Sequence, residues 1–188
     1  MKLLYVKIPK TATTTIKNAL NMEHIGGYPT IARTNPSKED TYSFTFVRNT
    51  YKRLVSWFRH HNGVDIEEFR EWVKNDYPHS WKRDWIASWQ ENNPLNQMNW
   101  ITNKEGDVVV DFIGKVGNIE EDYKQLCEEL EIDNPKPLPH LIPTPEVEET
   151  KKQTDFNPKD YYDDETRKKV EEDFKEEIEY FNFKFFDE

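Results

Sequence analysis

Two apolar runs of strand length, each followed by a polar turn and a helical repeat, organise the first third of the chain. Residues 3–6 carry no charge and predict a buried strand that ends at Pro9. Residues 42–47 are rich in β-branched and aromatic side chains and predict a second strand that stops at Arg48. A helix is predicted over residues 11–22, after the first strand. The residues that recur at helical spacing after the second strand are Tyr51, Leu54, Val55 and Phe58.

Helical spacing continues through the middle of the chain. A third helix is predicted directly after Asp65, a residue type that often caps a helix N-terminus. Its apolar positions are Ile66, Phe69, Trp72 and Val73. A stripe of tryptophans at i, i+4 and i+8 follows, formed by Trp81, Trp85 and Trp89. The stripe predicts a buried helical face, with a sugar-stacking platform as the alternative.

The region after residue 100 predicts a hairpin and another helix. Residues 100–116 indicate strand, turn and strand, with the turn at residues 103–106. Asn118 followed by Glu121 indicates a capped helix start, and this helix is predicted to run to Leu130.

The end of the chain predicts one long loop and one long helix. Residues 133–158 hold six prolines and are expected to form an irregular loop, a kind of segment that is often functional. The last helix is predicted over residues 164–181. Its buried face would consist of Val170, Phe174, Ile178 and Phe181.

Alternation of strands and helices predicts an α/β fold, a three-layer sandwich with a mainly parallel sheet. The length of 188 residues fits a single domain, residues 1–188. In such folds ligands bind at the carboxyl ends of the strands. The turns after residues 8 and 47 lie at two of those ends and are therefore the first candidates for a ligand-binding site.

Charge is distributed unevenly along the chain. The net charge is −10, but residues 1–62 hold 10 Lys/Arg against 3 Asp/Glu, or +7, which leaves 16 against 33, or −17, for the rest. The acidic total argues against nucleic acid or anionic membranes as partners, and the basic first third is where an anion would bind.

The single cysteine and the apolar runs bear on the compartment. Cys127 is alone, so no internal disulfide forms, and it falls at an apolar helical position that predicts burial. No signal peptide or membrane-spanning stretch is evident, and a cytoplasmic location is expected. No His, Cys or carboxylate cluster has metal-ligand spacing, so no metal is expected.

The first turn carries one lysine and several hydroxyl side chains where a strand enters a helix. Its residues are Lys10, Thr11, Ala12, Thr13, Thr14 and Thr15. Such a P-loop-like turn can cradle a phosphate or sulfate, although the glycines of a Walker A loop are missing. A Thr-rich helix cap is the plain alternative.

The second turn places Arg48 at a strand end and Ser56 on the following helix. Arginine can grip a phosphate with two parallel hydrogen bonds, and the serine hydroxyl can add a donor. Arg53, between them, is equally compatible with a structural ion pair.

Taken together, the two turns resemble those of the sulfotransferases that use 3′-phosphoadenosine-5′-phosphosulfate (PAPS), particularly the carbohydrate branch with the heparan sulfate 2-O- and chondroitin enzymes and their microbial relatives. Residues 9–14 are similar to that family's 5′-phosphosulfate loop, and Arg48 with Ser56 is similar to its 3′-phosphate site. The resemblance continues through later blocks of residues and covers nearly the whole chain. Those blocks are residues 111–115, 118–122, 139–141 and 161–166.

This resemblance implies in-line transfer of a sulfuryl group from PAPS to a hydroxyl of a glycan or small sugar-like acceptor, with 3′,5′-adenosine bisphosphate as the product. Lys10 would stabilise the leaving group, and Lys10 through Thr15 with Arg48 and Ser56 would bind the nucleotide. His24 is the implied catalytic base, since it lies between the two turns. Two alternatives stay open, a nucleotide-dependent phosphotransferase and a noncatalytic anion-binding module.

The chain departs from the family pattern in two places. Thr50 occupies a position where relatives often have proline, and residues 27–30 align where relatives often carry Gly-His. The histidines that compete with His24 for the role of base are His60, His61, His79 and His140. The resemblance also implies that Gln97 lies near the acceptor, and that Lys151 and Lys152 belong to a loop that closes on the nucleotide, with a solvated loop as the alternative.

Overall fold

The computed structural model describes residues 2–22, 41–78, 95–139 and 157–186, and it shows a parallel sheet packed between helices. The strands are β1 (Lys2–Tyr5), β2 (Thr41–Val47) and β3 (Phe112–Lys115). The helices are α1 (Thr13–Ala19), α2 (Thr50–His61), α3 (Ile66–Lys74), α4 (Met98–Ile101), α5 (Ile119–Glu129), α6 (Asp164–Asp173) and α7 (Lys175–Phe181). Short 3-10 turns at Val116–Asn118 and Pro158–Tyr161 precede α5 and α6.

The strands follow the order β1-β2-β3, and both neighbouring pairs are parallel. Tyr5 is in register with Phe44, and the pairing extends one residue further because the Val6 amide donates to the Phe44 carbonyl at 2.9 Å. The Thr45 hydroxyl also donates to the Val6 carbonyl at 2.7 Å. The carboxyl ends of β1 and β2 therefore lie side by side, and the turns that follow them share one edge of the sheet.

Alternate side chains of the strands face two different helical layers. On one face Phe44, Phe46 and Phe112 form a buried cluster with residues of α1 and α5. On the other face Val6 and Val47 pack with α4 and with the end of α7. This arrangement confirms the predicted α/β fold with a parallel sheet. Aromatic packing also explains Gly114, where a Cβ atom would lie 2.4 Å from the Phe46 ring.

A third buried cluster joins α2, α3 and α6 through aromatic rings. Phe69 of α3 lies edge-on to Phe58 of α2, with ring centroids 5.4 Å apart, and it also contacts Tyr161 and Tyr162. The α3 cap is as predicted, since the Asp65 carboxylate accepts from the Glu68 amide at 3.0 Å. Cys127, predicted to be in the core, is buried.

The hairpin predicted over residues 100–116 is wrong in its first arm. Residues 98–101 form the single helical turn α4, and only one antiparallel bridge, between Thr102 and Val108, joins the two sides of the turn at residues 103–106. Three apolar residues in a run of four do not distinguish a helix from a strand, and burial of Met98, Trp100 and Ile101 against the sheet selects the helix here.

Helix ends also differ from the predictions. The last helix is interrupted at Phe174, whose φ of −116° and ψ of 24° separate α6 from α7. Asn118 precedes α5 as predicted, but its side chain donates to Asp122 at 2.8 Å and forms no cap bond to the backbone. Helix α1 is shorter than residues 11–22.

Several sequence predictions fall outside the described residues. They concern the tryptophan stripe at Trp81, Trp85 and Trp89 and most of the proline-rich segment. Of the described parts of that segment, residues 133–139 have no helix or strand, as predicted, whereas Pro158 already begins a 3-10 turn. None of the helices formed by the described residues has the length and apolarity needed to cross a membrane.

Candidate functional site

The turn after β1 has an unusual backbone. Lys10 and Ala12 both adopt positive φ values, 68° and 58°, in the left-handed region that L-residues other than glycine seldom occupy. Each such residue costs about 1–2 kcal/mol, so the surrounding contacts must hold the turn in place. Residues in sparsely populated backbone conformations cluster at ligand sites, and this turn is therefore a candidate for one.

Hydroxyl groups supply part of that support. The Ile8 carbonyl accepts from the Thr11 hydroxyl at 2.8 Å and from the Thr13 hydroxyl at 3.0 Å. Thr11 is fully buried, Thr13 is half-buried and Thr14 is exposed. The hydroxyls of Thr11 and Thr13 thus shape the turn, whereas Thr14 presents its side chain to solvent. Thr15 is buried at the start of α1.

The turn after β2 is equally well supported. Asn49 caps α2, since its side-chain oxygen accepts from the Tyr51 amide at 3.1 Å and the Lys52 amide at 3.4 Å. Its side-chain nitrogen donates to the Lys184 carbonyl at 2.8 Å, which ties this turn to the C-terminal segment. Arg48, one residue earlier, is half-buried at the end of the strand.

Lys10 and Arg48 bring two positive charges to the same edge of the sheet. Burial, and then repulsion from Arg48, lower the pKa of the Lys10 ammonium. The turns that carry these two charges follow neighbouring parallel strands, so the charges lie at the same end of the sheet and disfavour one another. An anion placed between them would relieve this repulsion and replace part of the lost solvation.

Gln97 fixes the backbone of Arg48 through both ends of its amide. The Arg48 amide donates to Gln97 Oε1 at 2.9 Å, and Gln97 Nε2 donates to the Arg48 carbonyl at 2.8 Å. Gln97 is fully buried. The side chain of Gln97 is thus enclosed against Arg48, and its nearness to an acceptor stays a prediction.

Arg53, on the helix that follows the second turn, links that helix to the first turn. It is fully buried, and its guanidinium donates to the carbonyl of Pro9 at 2.9 Å and also to that of Leu95. Its Nη2 has no hydrogen-bond partner among the residues that the structure describes. Burial lowers the pKa of Arg53 to about 10, Glu177 opposes this shift, and Arg48 adds to it. Of the two roles left open for Arg53, the structure shows the structural one.

Glu177 is the site residue that sequence reasoning missed. It is fully buried on α7, and its carboxylate accepts from Thr50 and from both the backbone and the side chain of Gln97. Burial raises the pKa of Glu177, while Arg53 and these hydrogen bonds oppose the rise. A signal was present in the sequence. The positions Val170, Phe174, Glu177 and Phe181 follow a 4-3-4 spacing that places the carboxylate on the apolar face.

The predicted site residues are only partly accounted for. The turn from Lys10 to Thr15 and Arg48 come together at one sheet edge, while Ser56 lies half-buried nearly two helical turns into α2. The predicted base His24 lies outside the described residues, as do His79, His140, Lys151 and Lys152. His60 and His61 are exposed at the far end of α2. No group of three metal-ligating side chains occurs within the described ranges.

Comparison with known proteins bears on this arrangement directly. No curated protein and no solved structure is significantly similar to the chain. The family model described as "Sulfotransferase family" matches residues 1–184, a span that includes both turns, Gln97 and Glu177. A match over almost the whole length, on a chain whose two basic turns meet at one edge of a parallel sheet, shows that this protein belongs to the sulfotransferase family.

Proposed function

We propose that this sulfotransferase takes its sulfuryl group from PAPS and passes it to a hydroxyl of a carbohydrate-like acceptor. The observation that carries the proposal is the meeting of Lys10 and Arg48, on separate turns, at one sheet edge. A nucleotide with phosphate groups at both the 3′ and the 5′ positions supplies two anionic centres, which suit two cationic turns. A nucleotide with one phosphate chain needs only one such turn.

The residues of the first turn would hold the 5′ end of the donor. PAPS, when bound, supplies an activated sulfuryl group next to a phosphate leaving group. The Lys10 ammonium is suited to stabilise negative charge on the bridging oxygen, because burial leaves it poorly solvated. Thr11, Ala12, Thr13, Thr14 and Thr15 would orient the 5′ group through amide N–H groups and the exposed Thr14 hydroxyl.

The second turn would hold the 3′-phosphate. Arg48 can present two parallel N–H groups to one phosphate, and Ser56 would add a hydroxyl from α2. Clamping of the Arg48 backbone by Gln97 favours this role, since a pre-positioned donor loses little entropy when it binds.

The proposals for the acceptor and for the cellular location of the protein are based on the sequence alone. The likeness to the carbohydrate branch supports a glycan or small sugar-like acceptor, and the lone Cys127 supports the reducing cytoplasm. His24 is proposed as the base that removes the proton of the acceptor hydroxyl.

Nucleotide binding tests the donor. 3′,5′-Adenosine bisphosphate is expected to raise the melting temperature more than ATP does, because it binds the folded state with both phosphates. Arg48→Ala should weaken bisphosphate binding by about 1.5–3 kcal/mol in calorimetry, the usual range for hydrogen bonds to charged groups. Arg59→Ala is the matched control, since it removes a positive charge from the last turn of α2, the helix that follows Arg48. Equal thermal shifts with the two nucleotides would contradict a dedicated 3′-phosphate site.

Transfer itself distinguishes the proposal from its alternatives. Labelled sulfate from PAPS should appear on at least one member of a panel of glycans and small alcohols. Bisphosphate binding without transfer to any of them would favour a noncatalytic anion-binding module, and transfer of labelled phosphate from ATP would favour a phosphotransferase.

Lys10 provides a separate test of mechanism. Lys10→Met is expected to lower kcat about 10²–10³-fold, the range seen when one preorganised donor to a developing charge is removed. Affinity for the bisphosphate should fall much less, because the interaction strengthens in the transition state. Steady-state kinetics with PAPS, together with calorimetry of the product, separate the two quantities. Lys17→Met is the control, as Lys17 lies on the last turn of α1. A Lys10→Met enzyme with normal kcat would remove Lys10 from the reaction.

A further inference from the structure

We propose that Glu177 is a positioning residue for the anion-binding Arg48 and acts through the buried amide of Gln97. This inference rests on the proposed function only in taking Arg48 as a nucleotide ligand. It assigns a role in nucleotide binding to α7, a helix that contributes no residue to either basic turn.

The hydrogen bonds of Gln97 leave its amide one orientation. Oε1 must face the Arg48 amide, because a backbone N–H can only donate. Nε2 has two hydrogens, one of which goes to the Arg48 carbonyl at 2.8 Å and the other to Glu177 Oε1 at 2.6 Å. Rotating the amide by 180° would set nitrogen against an N–H group and oxygen against a carbonyl.

Glu177 supplies the acceptors that make this orientation favourable. Its Oε2 accepts from the backbone amide of Gln97, and its Oε1 accepts from Gln97 Nε2 and from the Thr50 hydroxyl at 2.6 Å. Two of these three donors are N–H groups that cannot accept in return. Only a group with acceptors on both oxygens satisfies them, and an ionised carboxylate is such a group.

Replacing this carboxylate by an amide would set a donor against a donor at Gln97, and relieving that mismatch would disturb Arg48. In Glu177→Gln the new amide oxygen is expected to face the Gln97 backbone N–H, so the new NH₂ faces Gln97 Nε2. Thr50 can rotate its hydroxyl to accept, but Gln97 can accept only by turning its amide over. That turn breaks both bonds to the Arg48 backbone. The carboxylate thus determines the position of Arg48 through a chain of matched donors and acceptors.

A purely electrostatic role for Glu177 predicts the opposite sign. Removing a negative charge from the neighbourhood of Arg48 and Arg53 makes the site more positive, and an anion would then bind more tightly. The positioning role predicts weaker binding from the same substitution. The direction of the change therefore separates the two roles.

The test measures the Glu177→Gln protein in two ways. Calorimetry with 3′,5′-adenosine bisphosphate should show affinity about tenfold weaker than in the unsubstituted protein, a size typical of coupled buried hydrogen bonds. Hydrogen exchange without ligand should show faster exchange of the Arg48 amide, while the Val6 amide, which donates to Phe44 in the sheet, stays protected. Unchanged or tighter binding together with unchanged Arg48 exchange would overturn the proposal.

Two further variants keep the test decisive. Gln97→Met removes both bonds to Arg48 at similar volume and should weaken binding to a similar extent, even if Glu177→Gln fails to fold. In the Gln97→Met background Glu177→Gln should weaken binding no further, whereas additive losses would contradict transmission through Gln97. Thr50→Val removes a bond to Glu177 that does not lead to Arg48 and should leave affinity within about twofold.

Failure of the proposed function would look different. If the unsubstituted protein does not bind the bisphosphate, the nucleotide assignment is wrong, and exchange at the Arg48 amide alone then decides whether Glu177 positions that residue.

Discussion

Replacing Arg53 by methionine is expected to lower the free energy of unfolding by about 3–5 kcal/mol, the range seen when one partner is removed from a buried charged network. The guanidinium is fully buried and satisfies the carbonyls of Pro9 and Leu95. Methionine fills much of the volume but donates nothing, so both carbonyls lose their donor and Glu177 loses the favourable charge of Arg53. Equilibrium urea unfolding followed by tryptophan fluorescence measures the loss.

Two matched variants show whether burial and geometry are responsible. Arg167→Met removes an exposed arginine that pairs with Glu171 at 3.4 Å, and it should change stability by less than about 1 kcal/mol. Arg53→Lys keeps a charge but lacks the planar fork needed to reach two carbonyls, so most of the loss should remain. Full stability of Arg53→Lys would show that charge alone suffices and that the two carbonyl contacts contribute little.

His24→Ala is expected to lower kcat by about 10²–10⁴-fold, the typical contribution of a positioned general base. Only the neutral imidazole can take the proton from the hydroxyl of the acceptor substrate. The kcat of the unsubstituted enzyme should therefore fall as the solution becomes acidic. In His24→Ala this acidic limb should disappear, while bisphosphate affinity stays the same. A pH profile of kcat with a saturating acceptor measures both effects.

His140→Ala is the control for this assignment. The resemblance places His140 in a segment that closes over the nucleotide, so its loss should affect binding at least as much as turnover. If His24→Ala keeps full activity and retains the acidic limb, the base lies elsewhere, with His140 or a carboxylate as the next candidate.

Strand β2 and helices α2 and α3 could be predicted because their patterns are long and regular, and the short β1 could be predicted because its apolar run meets Pro9. The pattern of residues 42–47 is typical of a strand and not of a helix, and Asp65 lies where a helix cap is needed. The two basic turns followed from these strands, because parallel strands bring their carboxyl ends together. An anionic ligand for these turns was predicted from their lysine, arginine and hydroxyl side chains.

The buried polar contacts beneath those turns could not be predicted in the same way. The spacing along α7 indicates that Glu177 is buried, but only a tertiary contact across 80 residues shows that Glu177 and Gln97 meet. Helix α4 was missed because its three apolar residues, in a helix of four, are too few to show a period. Local pattern indicates which residues are apolar, but pairing among buried polar groups depends on which distant segments touch.

The contact between α7 and the second turn also bears on the order in which parts of the structure form during folding. Thr50 and Glu177 are 127 residues apart, and Asn49 reaches the Lys184 carbonyl across 135 residues. Contacts between residues so far apart in the sequence are expected to form late, because closing a long loop costs much entropy before the contact can stabilise it. A chain emerging from the ribosome presents Lys10 and Arg48 before residue 177 has been synthesised. Under the roles proposed for Arg48 and Glu177, tight anion binding would therefore have to wait until α7 has packed against the second turn.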